Sequence, residues 1–276
     1  MAARSPLYAF VSTEKIATEW RALNFTAPPD LAFAGRQAET LRTLLSEGGA
    51  RVDECGSAPG LTLDAIYVRD AAIMTPRGAV LCCMGKAARG NEPAAMRRVF
   101  EAADIAVVGS IEPPGLMEGG DVVWFDARTV AVGRGYRTND DGIAQFRRLV
   151  DDEVDVIVVP LPHYRGPADV FHLMSILSLV DRDLAVVYSP LMPVPFREWL
   201  CARRFTLVEV PDEEFDSMGA NVLALAPRVA LTLAGNPGTR ARLEAAGARV
   251  LTYDGSEISV KGGGGPTCLT LPLLRD

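Results

Sequence analysis

The chain has 276 residues, 49% apolar and 23% charged, and its 35 acidic against 28 basic side chains leave a formal charge of -7. That length and apolar fraction allow a substantial core, while an acidic balance without a basic cluster excludes a phosphate-backbone binder, so no nucleic-acid partner is expected. No apolar run reaches the length of a membrane span and no hydrophobic targeting segment opens the chain, so a cytoplasmic protein without a membrane partner is expected.

In chain order, Leu7–Ser12 reads as a strand and Ala34–Glu47 as a helix, with Leu41, Leu44 and Leu45 on one side and Gly48-Gly49 as its stop. Strand-like runs follow at Ala65–Val68, Gly78–Met84 and Ile105–Val108, with a helix over Glu92–Ala103 between the last two. Val122–Phe125 and Thr129–Val132 flank Asp126-Ala127-Arg128 and read as a hairpin. A helix over Asp141–Val150 and a strand over Val154–Val159 come next, and His172 begins or just precedes a short amphipathic helix carrying Leu173, Ile176 and Leu177. Then come strand Leu184–Tyr188, helix Phe196–Arg204, and strands Phe205–Val208, Asn221–Leu225, Val229–Leu233 and Arg249–Thr252, with a helix over Thr239–Ala246 before the last.

Helices therefore start near positions 36, 92, 140, 195 and 236, a quasi-repeat of hairpin and helix. One such unit buries itself poorly alone, so several packed around a common centre make physical sense. An open parallel sheet is the alternative from pattern alone. No long hydrophilic linker divides the chain, and a single domain over 1–276 is expected. Gly133-Arg134-Gly135 lacks the further glycine of a dinucleotide fingerprint, and Gly262–Gly265 lies too near the end of the sequence for one, so no nucleotide cofactor is expected.

The cysteines are Cys55, Cys82, Cys83, Cys201 and Cys268, an odd number without a C-x-x-C pair, which argues against a disulfide framework and a structural zinc site. Cys268 stands apart because it follows four consecutive glycines, where backbone can approach a ligand closely. A thiolate there can attack an electrophilic carbon, and His172 has the intrinsic pKa to protonate a leaving amine and then activate water. A carboxylate beside the histidine would hold its ring, another would pair with a cationic substrate, and arginines would receive a substrate carboxylate. Taken singly, each of these residues is equally at home in a core or a turn.

Five stretches together carry more. Asp64–Asp70, Met117–Val122, Gly133–Asn139, Phe171–Ser175 and the glycine loop ending in Cys268 resemble, in order, the guanidino-group-modifying superfamily, and within it the dimethylarginine dimethylaminohydrolases. The resemblance implies a five-bladed α/β propeller with pseudo-fivefold symmetry. It implies Cys268 as nucleophile, His172 as general acid and base, and Glu118 as the carboxylate supporting the histidine. It further implies Asp70 as the guanidinium-binding carboxylate, Asp64 as a second polar contact, Tyr67 as a pocket wall, and Arg89 with Arg137 as receivers of the substrate carboxylate. The reaction so implied hydrolyses dimethylarginine or monomethylarginine to citrulline and an alkylamine through a cysteine thiouronium, without metal or redox cofactor. Arginine deiminases and amidinotransferases typically carry an aspartate two residues after the histidine, where this sequence has Met174. That difference favours the methylated substrates and leaves an arginine deiminase, or an enzyme of another substituted guanidine, as the alternative. A non-catalytic binding propeller is the alternative of a different class. The expected partner is a small-molecule guanidine, and the assembly a monomer or homodimer.

Overall fold

The computed structural model describes residues 1–274. The elements run, in chain order, β1 (Ala2–Ala3), α1 (Pro6–Ala9), α2 (Thr13–Glu19), α3 (Leu31–Glu47), β2 (Asp53–Glu54), β3 (Ala72–Thr75), β4 (Gly78–Leu81), α4 (Glu92–Ala102), β5 (Val107–Ser110), β6 (Val122–Asp126) and β7 (Thr129–Arg134). They continue with α5 (Asp140–Leu149), β8 (Asp155–Pro160), β9 (Leu177–Asp181), β10 (Leu184–Val187), α6 (Val194–Ala202), β11 (Thr206–Glu209) and α7 (Asp212–Phe215). The last elements are β12 (Leu223–Ala226), β13 (Val229–Leu233), α8 (Pro237–Ala245), β14 (Arg249–Tyr253) and β15 (Thr270–Leu271).

The strands form five three-stranded sheets, each with one antiparallel and one parallel pairing about its middle strand. In four of them a hairpin is followed by a helix and a returning parallel strand, which is the quasi-repeat seen in the sequence. The fifth joins the two ends of the described chain: Ala2 pairs with Leu271 on one side and Asp53 on the other. The architecture is a five-bladed α/β propeller rather than an open parallel sheet.

Each blade's helix buries one stripe on its sheet. Met96 and Phe100 of α4 lie fully buried in the cluster holding Val80 of β4, and Ile143 and Phe146 of α5 join Val130 and Val132 of β7 there. Burying such side chains contributes about 1.5–3 kcal/mol each. Local signals fix the helix ends. Asn139 accepts from Gly142 N at 2.8 Å to start α5, and Gly49, at φ 89°, follows the Gly48 cap of α3.

Two expected strands are corrected. The Leu7–Ser12 region contains α1, because Ser5 accepts from Leu7 N and Pro6 supplies the preset first-turn dihedral. Ala65–Val68 lies across two consecutive turns of 3-10 helix, Leu63–Ile66 and Val68–Ala71, all four residues being buried. A short, wholly apolar run has no periodicity to tell strand from helix. Likewise Leu177, expected on a helix after His172, begins β9, and the helical piece is only Leu173–Ser175.

Candidate active site

The chemistry-bearing residues occupy one position in the repeat: the turn leading into a blade's first strand. Asp70 precedes β3, Glu118 precedes β6, His172 precedes β9 and Cys268 precedes β15, each by two to five residues. Fivefold packing brings these turns together at one end of the ring.

His172 is buried at 3% exposure, and its Nε2 lies 2.7 Å from Glu118 Oε2. Its Nδ1 is 3.9 Å from Asp70 Oδ1. Burial alone would lower the pKa of the ring, but the charges of Asp70 and Asp121 and the bond to Glu118 prevail and raise it to about 9. Burial works to raise the Glu118 carboxyl, yet the His172 bond and charge, with Arg89 and Arg137, hold it below the usual carboxylate range. The pair is therefore an imidazolium and a carboxylate near neutral pH. Glu118 also accepts from Gly85 N at 2.9 Å and Lys86 N at 3.3 Å.

Asp121, in the same turn as Glu118, accepts from Thr138 Oγ1 at 2.7 Å and from Leu173 N at 2.9 Å, and so anchors the His172 turn. Burial pushes its carboxyl up to about 6. Gly120 donates its N–H to Asp70 Oδ1 at 3.1 Å, and a side chain there would sit 2.5 Å from His172 Nδ1 and 2.8 Å from Asp70 Oδ1. Only glycine fits between those two groups.

Cys268 is half-buried on the loop that returns beneath Tyr67. Arg69 clasps that loop, with its N 3.2 Å from Cys268 O and its Nε 2.8 Å from Thr267 O. Burial first, and then the charge of Asp70, push the thiol up, while hydrogen bonds from Asn221 and Thr267 draw it down. The resting pair is thus a thiol and an imidazolium. Tyr67 is buried, and its ring fills the space that side chains at Gly262 and Gly264 would need. Gly265 is closed off instead by the Asn221 side chain, and Gly263 takes a left-handed φ of 75°.

From sequence, Asn221 was only the start of an expected strand, not a site residue. It lies two residues before β12, so the fourth blade also contributes a residue at the shared position. Its Oδ1 accepts from Thr267 N at 3.0 Å and Thr267 Oγ1 at 2.9 Å, which leaves Nδ2 to donate to Cys268 Sγ at 3.4 Å. The repeat was the available signal, because each of the other four turns carries a polar group within five residues of its strand.

The structure does not put Arg89 where a substrate-carboxylate receiver is needed. It is 4% exposed behind Asp70, donating to Asp70 Oδ2 at 2.6 Å, to both Glu92 oxygens at 2.7 and 2.8 Å, and to Tyr67 O at 2.8 Å. The i,i+3 spacing of Arg89 and Glu92 on the turn into α4 makes that fork possible, and it orients Asp70. Arg137 is different. It lies 3.5 Å from Glu118 Oε1 through Nη1, and that nitrogen, though buried, makes no hydrogen bond among the described residues. Asp64 is held at 2.6 Å by Lys86 Nζ.

Asp70, Glu118 and His172 offer donor atoms within 4.8 Å of one another, a spacing a metal ion could bridge. A histidine that holds its proton to about pH 9 is a poor metal ligand, so the trio is built to keep a proton. No helix among the described residues is long and apolar enough to cross a membrane.

A sequence model of the arginine deiminase family matches residues 64–196 and 193–275. The uncharacterized protein YkgA of Bacillus subtilis is 28% identical over 212 residues, 77% of this chain and 70% of that one. An arginine deiminase of Mycobacterium marinum is 35% identical over 194 residues, covering 58% of this chain and 47% of its own length. The chain thus spans about half the length of the mycobacterial deiminases it matches. Among solved structures, dimethylarginine dimethylaminohydrolase from Pseudomonas aeruginosa, a cysteine-to-serine variant complexed with citrulline, superposes with a TM-score of 0.78 at 22% identity, over 97% of this chain and 96% of that one. The N-terminal domain of ArgZ, a cyanobacterial arginine dihydrolase bound to product, gives a TM-score of 0.82 at 18% identity, over 99% and 97%. With the family match running from Asp64 into the C-terminal residues, the chain belongs to the arginine deiminase family, and it shares its five-bladed fold with these structures.

Proposed function

We propose that the protein hydrolyses the guanidino group of an arginine-like compound through a covalent adduct on Cys268, with Nω-methylated arginine as the leading substrate. The carrying observation is the convergence of an imidazolium–carboxylate pair, His172 and Glu118, with Asp70 and the Cys268 loop at one end of the ring.

Asp70 attracts the guanidinium, and that cation beside Sγ offsets the carboxylate charge that otherwise keeps the thiol protonated. Cys268 thereby releases its proton to bulk water as the substrate binds, and the thiolate attacks the guanidinium carbon. His172 gives its proton to the departing amine, leaving an S-alkylthiouronium and a neutral imidazole. Neutral His172 takes a proton from water as the oxygen adds to the same carbon. The C–S bond breaks, and a ureido product, citrulline from any arginine substrate, leaves with Cys268 regenerated. Glu118 keeps the ring oriented and favours its protonated form, while Asn221 supports the sulfur when it carries charge. Arg89 acts through Asp70 as a positioning residue.

Met174 occupies the position two residues after His172, so no carboxylate stands there to bind an unsubstituted guanidinium nitrogen. This supports methylated over unmethylated arginine. Deimination of arginine is the second reading, favoured by the family match. The test measures citrulline and amine release from asymmetric dimethylarginine, monomethylarginine and arginine, with Cys268→Ser as control. Methylamine or dimethylamine release that disappears in C268S is the expected result. Faster ammonia release from arginine would establish deimination instead, and inertness toward all three would refute arginine and its methylated forms as substrates.

A further inference from the structure

Arg69 and Asp70 are consecutive on the 3-10 turn Val68–Ala71, and they serve two sides of one junction. Asp70 faces His172 and accepts from Gly120 N. Arg69 turns to the loop that carries Cys268. Its backbone N–H donates to Cys268 O at 3.2 Å, and its Nε–H donates to Thr267 O at 2.8 Å across 198 residues of sequence. Two successive carbonyls of the nucleophile loop therefore rest on one residue. The Arg69 backbone is itself wedged, because a side chain at Gly119 would run into Arg69 O and lie 2.8 Å from Ala72 O. The Glu118–Gly119 turn backs Arg69 on one side, and the Cys268 loop meets it on the other.

Asp70, Glu118 and Cys268 come from three different blades, so no strand pairing sets their spacing. Other anchors of the Cys268 loop are internal, as from Cys268 N to Gly265 O at 3.0 Å, or lead to Asn221 of the fourth blade. Arg69 ties the loop to the turn of Asp70. Charge acts along the same link. Close to Sγ stand the Asp70 carboxylate, which pushes the thiol up, and the phenols of Tyr67 and Tyr253, which burial keeps neutral. The Arg69 cation draws the thiol down, as do the hydrogen bonds from Asn221 and Thr267. Arg69 and Thr267 also line, with Gly119 and Met174, a cavity of about 450 Å³ walled by the first strands of the blades. A different side chain at position 69 therefore has room.

We propose that Arg69 is a positioning residue for the nucleophile: it holds the Cys268 loop at a fixed distance from Asp70, and its cation favours the thiolate at the moment of attack. This rests on Cys268 being the nucleophile of the reading above, but alkylation of the thiol reads it without any guanidine substrate.

The test follows iodoacetamide alkylation of Cys268 across pH, by mass spectrometry of the peptide that holds it, beside kcat and KM for monomethylarginine. In Arg69→Met the pH midpoint should rise by about one unit, the effect of losing one nearby opposite charge. At neutral pH kcat should then fall about tenfold, as the thiolate fraction does, with KM little changed because Asp70 keeps its Arg89 support. Arg69→Lys should bring the midpoint back, whereas Arg69→Gln, which retains an N–H donor without charge, should not. The Lys and Gln variants decide the matter even where Arg69→Met fails to fold. A midpoint unmoved in R69M and R69Q, or a higher KM at unchanged kcat, would overturn the proposal. A moved midpoint in an enzyme inert toward every guanidine would uphold the hold of Arg69 on Cys268 and refute the hydrolase reading alone.

Discussion

Asn221 shows how one amide can be oriented by its neighbours until its remaining donor has a single target. Thr267 supplies two hydrogens to Oδ1, so Nδ2 faces the Cys268 sulfur at 3.4 Å. A donor there stabilises thiolate over thiol. Asn221→Ala should therefore move the pH midpoint of Cys268 alkylation upward and lower kcat/KM at neutral pH by about tenfold, the effect of one hydrogen bond to a charged group. Alkylation rates across pH in variant and wild type check this, and an unmoved midpoint would confine Asn221 to holding the loop. Cys268, His172, Glu118 and Asp70 were legible from short motifs because each chemistry demands a particular side chain. Asn221 was not, since an asparagine before a strand looks like ordinary turn chemistry until the repeat register is known.

At the level of elements, the turn into α4 gives Asp70 its fixed orientation. Arg89 and Glu92, both buried, form a fork whose third partner is Asp70. Removing one member leaves buried charge without compensation. Glu92→Gln should cost about 3 kcal/mol of stability and raise KM for any guanidine, because Arg89 then turns more of its charge onto Asp70. Urea unfolding together with steady-state kinetics checks both effects, and a variant as stable as wild type would show that Glu92 is dispensable to the fork. From sequence, Arg89 was an expected substrate contact and Glu92 only the start of a helix. Their i,i+3 spacing was visible, but burial decides whether two such charges face each other or water, and sequence does not report burial.

Across the whole molecule, the propeller collects charge where its turns converge, and folding is linked to protonation there. His172 binds its proton more tightly in the folded protein, at about 9, than in the unfolded chain, at 6.5. Its stabilisation is complete below the unfolded value and is lost as pH rises through the folded one. The Tm gap between wild type and His172→Asn should therefore be widest near about pH 6 and narrow by about pH 10. Calorimetry across that range checks it; a gap independent of pH would mean that folding leaves the His172 pKa unchanged, and one that widens with pH that the ring is neutral in the folded protein.

The sequence by itself determined the repeating order of hairpin, helix and strand, because hydrophobic period and capping residues act over a few neighbours. It also determined which residues could do chemistry, through side-chain type and motif. Only the tertiary structure decided that Ala2, Asp53 and Leu271 share one sheet, that Ala65–Val68 is a pair of turns, and that Arg89 supports Asp70 from behind. It alone placed Lys86 on Asp64 and Asn221 on Cys268. Those outcomes depend on burial and on contacts between distant segments, where the free energy of a charge or an amide is set by what the rest of the ring brings against it.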